Sequence, residues 1–432
     1  MKKKGPESYR SRKKIIFSLL VLIAMLFFLE VSSFIIYLVT YGGNDFSTLR
    51  KQKNTLIYLT NTDSPKNTTK RFDRQFIKRK FLQKKATHPY IGFASNPSNS
   101  NKDFKGYGFP KTIYKKSSDH IIILILGGSV AGGFNRYGSK HLIKELKFYN
   151  YTERKIVVLN LAVGGYKQPQ QLMALNYYLA IGGEFDIVIN IDGFNDITLH
   201  SKKNELKGVS IFYPTDWFLR SQGISNPVVA YRKGKLIDLR IKRMEIAKSY
   251  SGINHYSFTL NLLWKVLDSS LQSEYQKNID FLNSYVPKGN LPYSVSGPKL
   301  TYANEEEIES ELVDLWKRCS LIIKRICDSH NGQYFHFLQP NQYFLNSKDF
   351  NTEERKIAYL ESHPFNRSVN RRYPLLQQKS QELIDQSVNF EDLTMVFKYI
   401  KKTTYIDNCC HLNEFGNQIM AKKIANTILQ HK

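Results

Sequence analysis

The feature that most constrains the fold is a set of short runs made almost entirely of apolar, β-branched and aromatic residues. Four such runs occur in the sequence: HIIILILGG from His120, KIVVLNLAVGG from Lys155, FDIVINIDG from Phe185 and QYFHFLQP from Gln333. Strands that are apolar on both faces lie in parallel sheets that helices cover on both sides. Because helical stretches separate the runs, the pattern predicts an α/β fold built on a parallel sheet.

The apolar spacing between these runs predicts amphipathic helices. The clearest one begins with the acidic residues 305–307. Its apolar positions recur every three or four residues, at Ile308, Leu312, Leu315, Cys319, Ile322 and Ile326. This spacing puts these side chains on one helix face, which we expect to cover the sheet.

The N-terminal region predicts a membrane anchor. A basic tail, residues 1–14, precedes a mostly apolar segment, residues 15–39, in which Glu30 is the one charged residue. Roughly 25 apolar residues suffice to span a bilayer with some tilt. The positive-inside rule then predicts a cytoplasmic N-terminus and an extracytoplasmic body after Tyr41.

The rest of the chain divides into a polar lead-in and one large domain. Residues 40–118 are basic and rich in turn residues, which predicts an extracytoplasmic linker and lead-in. Residues 119–432 form the predicted domain, interrupted by a basic, aromatic insertion at about 200–300. An insertion of this size either caps a site or is a surface elaboration, and both interpretations stay open.

The formal net charge of +26 is high for a folded chain. Such an excess suits nucleic acid, anionic lipid or an acidic polymer. Lysine is spread over the whole chain, and no nucleic-acid-binding motif occurs. We therefore expect no nucleic-acid partner.

The four cysteines predict neither a metal site nor a fixed disulfide pattern. Cys319 and Cys327 lie on one predicted helix, about 12 Å apart by helix rise, so they cannot pair with each other. A bond from either one to Cys409 or Cys410 stays open, as do free thiols. No zinc-ligand spacing occurs.

Polar groups follow the predicted strands at one edge of the sheet. Ser129 follows the first run, Gly165 ends the second, and the DGFND motif with Asn195 ends the third. Asp407 and His411 precede the last predicted helix. A serine, a histidine with an orienting carboxylate and donors for an oxyanion are the groups that acyl transfer needs.

These residues, in this chain order, resemble the four signature blocks of the SGNH/GDSL hydrolase superfamily. The resemblance covers roughly 119–430 without the insertion. It implies that Ser129 is the nucleophile and His411 the base. It further implies that the N–H groups of Ser129 and Gly165 and the side-chain amide of Asn195 form the oxyanion hole. The resemblance also implies a three-layer α/β/α sandwich with a flavodoxin-like parallel sheet of about five strands.

Two positions depart from the family pattern. Gly128 stands where the family name has aspartate, and this position is not a member of the triad. The usual D-x-x-H spacing would put the acid at Asn408, whereas Asp407 lies four residues before His411. We expect a local adjustment to bring Asp407 to the His411 ring. Otherwise a Ser–His dyad would operate.

Three functions are compatible with these residues. The leading hypothesis is a membrane-anchored serine esterase, without cofactor or metal, acting on acyl esters in the envelope or on exported glycans. Acetyl esters are the favoured substrates. The second hypothesis is an O-acyltransferase that uses the same residues on an exported polysaccharide. The third is an inactive domain that binds an anionic glycan or lipid surface.

Overall fold

The structure is a computed structural model that describes residues 6–41, 46–58, 85–95, 114–221 and 226–431. The strands are β1 (Lys85–His88), β2 (Gly92–Ser95), β3 (His120–Gly127), β4 (Lys155–Asn160), β5 (Ile187–Asp192), β6 (Gln333–Leu338) and β7 (Asn389–Asp392). The α-helices are α1 (Pro6–Tyr41), α2 (Phe46–Tyr58), α3 (Ser129–Tyr137), α4 (Ser139–Phe148), α5 (Gln170–Ala180), α6 (Phe194–Lys203), α7 (Trp217–Ser221), α8 (Pro227–Ser249), α9 (Phe258–Ser284), α10 (Tyr293–Ser296), α11 (Glu305–Ser329), α12 (Thr352–Ala358), α13 (Pro364–Asp385) and α14 (Glu414–Gln430).

The described residues fall into two compact units. One contains Met1–Leu82 with Pro227–Ser284, and the other contains Gln83–Asn226 with Tyr285–Lys432. The middle of the predicted insertion, helices α8 and α9, therefore groups with the N-terminal region of the chain rather than with the sheet.

The sheet-bearing unit has the α/β architecture that the apolar runs predict. Five parallel strands lie in the order β4-β3-β5-β6-β7, which is the flavodoxin-like order. Helices α3, α4 and α14 pack together, and helices α5, α6, α11 and α13 form a second group. The sheet is thus flanked by helices. The prediction of a parallel α/β sandwich of about five strands is confirmed.

The fifth strand, β7, is missing from the sequence prediction. Its residues, NFED, are all only partly buried, because β7 pairs along one edge with β6 alone. An edge strand of this kind lacks the fully apolar pattern that marks β3, β5 and β6.

Helix α11 forms as predicted, with Leu312 and Cys319 buried, but its buried face is turned from the predicted one. Its buried residues are Glu309, Leu312, Val313, Trp316, Cys319, Ser320, Ile323 and Cys327. Ile322 is exposed instead. The buried face is turned by about one residue. It includes polar side chains that have partners in the interior, and the spacing of apolar residues does not predict these.

A buried hydrogen-bond network ties this face to the end of β5. Asp192 Oδ1 accepts hydrogen bonds from His336 Nε2 at 2.8 Å and Trp316 Nε1 at 2.7 Å. Asp192 Oδ2 accepts one from Asn190 Nδ2 at 2.9 Å, and Ser320 Oγ contacts His336 Nδ1 at 2.8 Å. The network fixes β5, β6 and α11 at the point where the sheet ends.

The N-terminal unit consists of α1, α2, α8 and α9. Residues Lys14–Thr40 of α1 form a candidate membrane span by length and composition. Much of the predicted linker, 40–118, lies outside the described residues. Within it, α2 is a regular helix, and β1 and β2 pair as an antiparallel hairpin that belongs to the sheet-bearing unit.

We expect the substitution Asp192→Ala to lower the free energy of unfolding by about 3–5 kcal/mol, because it removes the acceptor shared by four buried donors on His336, Trp316, Asn190 and Gln168. The exposed Asp349 provides a matched control, and Asp349→Ala should change stability by less than about 0.5 kcal/mol. Urea denaturation of the two variants measures the difference. Equal stabilities would contradict a structural role for the network.

Candidate active site

The end of β3 has no room for a side chain. Gly127 has φ +134°, and a Cβ there would lie 2.2 Å from the Ile191 carbonyl oxygen. A Cβ on Gly128 would lie 2.3 Å from Asn195 Nδ2. Ser129 then begins helix α3. The two glycines therefore let β3 and the Asn195 amide approach each other closely beside the Ser129 hydroxyl.

Ser129, His411 and Asp407 lie in one hydrogen-bonded line. His411 Nε2 is 2.8 Å from Ser129 Oγ, and His411 Nδ1 is 2.5 Å from Asp407 Oδ2. The hydrogen bond to Asp407 and the negative charge of the Asp407 carboxylate raise the pKa of His411. Burial of the ring opposes this effect. This arrangement has the geometry of a nucleophile, a base and a group that orients the base.

The Asp407 carboxylate reaches His411 because the chain between them curls around it. Asp407 Oδ1 accepts hydrogen bonds from the backbone N–H groups of Cys409, Cys410 and His411 at 3.0, 3.2 and 3.3 Å. Burial opposes the charge of Asp407, but the hydrogen bonds and the His411 charge outweigh it and lower its pKa to about 2. The four-residue spacing is thus accommodated by a backbone turn.

The Gly164–Gly165 loop and the Asn195 amide lie close to the start of α3, which carries Ser129. The Gly164–Gly165 loop passes close by, since a Cβ on Gly164 would be 3.4 Å from Ser129 Cβ. Asn195 Nδ2 donates to the Tyr166 carbonyl at 2.8 Å. A side-chain amide carries two hydrogens, so one is left for a ligand. The N–H of Ser129 lies in the first turn of α3, where backbone N–H groups have no helical partner.

The second aspartate of the DGFND motif, Asp196, stabilises the start of α6, where Asn195 lies. Asp196 is buried and accepts hydrogen bonds from the backbone N–H groups of Gln168 at 2.7 Å and Gly193 at 3.1 Å. Burial and the nearby Asp192 charge raise the pKa of Asp196 to about 7. Asp196 thereby joins the start of α6, which carries Asn195, to the segment that follows Gly165.

Sequence reasoning missed two cations beside the site, Lys85 in β1 and Arg220 in α7. The Lys85 ammonium group donates a hydrogen bond to the Gly164 carbonyl. Burial and the Arg220 charge lower the pKa of Lys85 to about 8, against an opposing effect of Asp216. No motif marks these residues, because they come from a hairpin and a short helix far apart in the sequence.

All four cysteines are free thiols in the structure. The sulfurs of Cys409 and Cys410 lie 3.3 Å apart, and with His411 they form a group of metal-capable atoms within 4.8 Å of one another. Both His411 ring nitrogens are engaged by Ser129 and Asp407. A metal ion on His411 would therefore have to displace one of these partners.

Neither a protein-family model nor a curated protein matches the sequence. Similar solved structures include Axe2, an acetylxylan esterase from Geobacillus stearothermophilus, at 12% identity and a TM-score of 0.33 over 72% of this chain and 94% of that chain. They also include the acetyl xylan esterase AlAXEase, at 11% identity and a TM-score of 0.33 over 72% and 99% of the two chains. At TM-scores this low, the likeness carries no weight for the activity, which we infer from the site geometry alone.

We expect Gly128→Ala to slow the reaction of Ser129 with a fluorophosphonate about 10²-fold, because the added methyl group displaces the Asn195 amide from the site. Gly133 lies within α3, the helix that Ser129 begins, and a Cβ there meets nothing within 4 Å. Gly133→Ala should therefore react normally and gain about 0.5–1 kcal/mol of stability. Labelling rates that are equal in the two variants would contradict this assignment of Asn195.

Proposed function

We propose that this protein is a membrane-anchored serine esterase that hydrolyses acyl esters, with acetyl esters of exported glycans as the favoured substrates. The observation that carries the proposal is the hydrogen-bonded line from Ser129 through His411 to Asp407. A domain that only binds its ligand has no need of this alignment, so the contact favours an enzyme over a binding module.

The proposed reaction follows acyl-transfer chemistry. Ser129 Oγ attacks the ester carbonyl carbon while His411 Nε2 takes the hydroxyl proton, and the alcohol leaves with that proton. Water then attacks the acyl-enzyme with His411 again as base, which releases the acid. Asp407 holds the ring and stabilises the imidazolium, and the donors at Ser129, Gly165 and Asn195 stabilise the oxyanion.

The glycan part of the proposal is supported by a cleft in the sheet-bearing unit. The cleft measures about 610 Å³, and Tyr90, Phe212, Tyr213 and Trp217 contribute to its lining. Ligand sites typically combine such aromatic surface with a few polar groups. The cleft also contains Gly92, the residue before Phe93, whose ring lies next to Gly165. Through Phe93, the cleft neighbours the loop that carries Gly165.

Helix α1 supports the proposed location of the protein. The apolar stretch of α1 would anchor the protein, and the basic residues before it would keep the N-terminus in the cytoplasm. The sheet-bearing unit would then face the extracytoplasmic side, where exported glycans lie.

The nucleophile is tested with a fluorophosphonate probe on the full chain in detergent, read by mass spectrometry of the labelled peptide. We expect labelling at Ser129 that is abolished in Ser129→Ala and His411→Ala. The exposed Ser310 provides a control, and Ser310→Ala should label normally. Labelling that survives in Ser129→Ala would refute the proposal. Product analysis of 4-nitrophenyl acetate with an added oligosaccharide separates hydrolysis from transfer.

The pH dependence tests the roles of His411 and Asp407. The base works only when neutral, and its raised pKa lies above 6.5, so kcat/KM should rise with pH to a midpoint above 6.5. Asp407→Asn removes the carboxylate, so it should lower this midpoint and reduce kcat by about 10³–10⁴-fold. An unchanged midpoint in Asp407→Asn would show that Asp407 does not act on His411.

A further inference from the structure

Two cations, Lys85 and Arg220, flank the loop that carries a proposed oxyanion donor. The Arg220 guanidinium carbon lies 3.7 Å from the centroid of the Phe93 ring, and Lys85 Nζ lies 5.1 Å from the same centroid. The tip of Phe93 is 3.8 Å from the Cβ position of Gly165. Phe93 therefore contacts both cations and lies beside the Gly164–Gly165 loop.

The Lys85 ammonium group also lies close to the nucleophile. The Cβ position of Gly164 is 3.6 Å from Lys85 Nζ and 3.4 Å from Ser129 Cβ. The ammonium group is thus within about 7 Å of Ser129 Cβ, a range over which a charge acts strongly in a partly buried site.

Positive charge exceeds negative charge around this loop. Within the described part of the chain, Lys85 has no carboxylate at ion-pair distance. Arg220 is 4.0 Å from Asp216, which is also 3.4 Å from Lys203. Lys85 and Arg220 thus share the charge of Asp216. A half-buried ammonium group with a carbonyl as its partner is costly to keep charged, and a bound anion would relieve that cost.

We propose that Lys85 and Arg220 form an anion subsite, so that the preferred ester carries a carboxylate, sulfate or phosphate group near the scissile bond. This inference rests on the proposed esterase function and specifies its substrate class. Charge-assisted hydrogen bonds to such a group are worth more than neutral ones, which gives the subsite a measurable effect on specificity.

The test compares kcat/KM for 4-carboxyphenyl acetate and 4-sulfophenyl acetate with that for the neutral 4-acetamidophenyl acetate. The ratio of anionic to neutral substrate, taken relative to the wild type, cancels the intrinsic reactivities. Lys85→Gln and Arg220→Gln should each lower this ratio about tenfold. Lys85→Arg should retain it. The exposed Lys155 starts β4 at the opposite end of the sheet, so Lys155→Gln should keep the wild-type ratio.

Three outcomes overturn an assignment, each in a different way. A wild-type ratio in Lys85→Gln, with the neutral ester still hydrolysed, overturns the subsite alone. An equal loss of ratio in Lys155→Gln means that overall charge, not the subsite, sets the preference. Failure of the wild type to hydrolyse any of the three esters overturns the proposed function and the subsite with it.

An independent observation concerns the N-terminal unit, where Glu30 of α1 binds the start of α9. Its carboxylate accepts hydrogen bonds from the Phe258 N–H at 2.7 Å and the Thr259 N–H at 3.4 Å, and from the Ser257 hydroxyl. An acidic group at a helix N-terminus satisfies free backbone donors and complements the helix dipole. The one charge in the apolar stretch is therefore held by protein.

Helix α1 has two different halves on either side of Glu30. Beyond it, one face packs against protein, where Tyr37 is 1% exposed and clusters with Leu49 and Trp264, while the other faces stay exposed, as at Ile35 and Val39. Before it, the large apolar side chains back to Ile15 are exposed. The distance from Lys14 to Glu30 is about 24 Å by helix rise, close to the thickness of the hydrocarbon core. A carboxylate with polar partners is unfavourable deep in the hydrocarbon, so we place the membrane boundary of α1 near Glu30.

The turn Gly252–Tyr256 lies at the same level, since it ends directly before Ser257. Ile253 is 88% exposed and Tyr256 is 68% exposed. We infer that this turn enters the membrane interface beside α1, with Ile253 and Tyr256 in contact with lipid. Tyrosine is enriched at this depth, where its ring meets apolar chains and its hydroxyl meets water. The inference rests on the anchoring proposed above.

The test places a photoreactive benzoylphenylalanine in the full chain, reconstituted in phosphatidylcholine vesicles, and measures lipid adducts by mass spectrometry. Position 253 should yield adducts, as should position 28 in the apolar half of α1. Position 276 is exposed and lies about 27 Å further along α9, so it should yield none. Adducts at 28 without adducts at 253 would overturn the inference. Absence of adducts at both would overturn the anchoring too.

Discussion

The site depends on the close approach of the end of β3 to the end of β5 and to the Asn195 side chain. The end of β3 meets β5 at Gly127 and meets the Asn195 amide at Gly128, and neither position has space for a Cβ. This contact sets where Ser129 stands relative to the Asn195 amide. It also requires a residue without a side chain at position 128. An aspartate there would need a different placement of Asn195, whereas glycine allows the contact seen here.

The polar interior beneath the site holds these segments in place. Asp192 joins β5 to β6 and α11 through its hydrogen bonds. Asp196 joins the start of α6, which carries Asn195, to the segment after Gly165. Buried carboxylates are unfavourable unless donors surround them, and both have such donors. The DGFND motif therefore has two kinds of residue. Asn195 is the proposed oxyanion donor, while the two aspartates fix the segment from the end of β5 to the start of α6 that carries it.

Much of the fold follows from the sequence because one physical signal dominates it. Runs such as 120–127 and 187–192 are buried on both faces, and their apolar character specifies a parallel sheet. The polar groups at the strand ends were also brought together, because parallel strands end at a common edge. The missed features have a different origin. The buried face of α11 depends on Ser320 and Trp316 finding polar partners, and the placement of Lys85 depends on a hairpin distant in sequence. Neither of these two features produces a periodic pattern in the sequence.

The turn between Asp407 and His411 has a consequence for how relatives of this protein are recognised. Cys409 and Cys410 contribute only backbone N–H groups to the carboxylate. Almost any residue except proline supplies the same groups, so side-chain identity at these two positions is under little constraint from the triad. Homologues with the sequence D-x-x-x-H and unrelated intervening residues could thus conserve the geometry. A search pattern written for the three-residue spacing would pass over them.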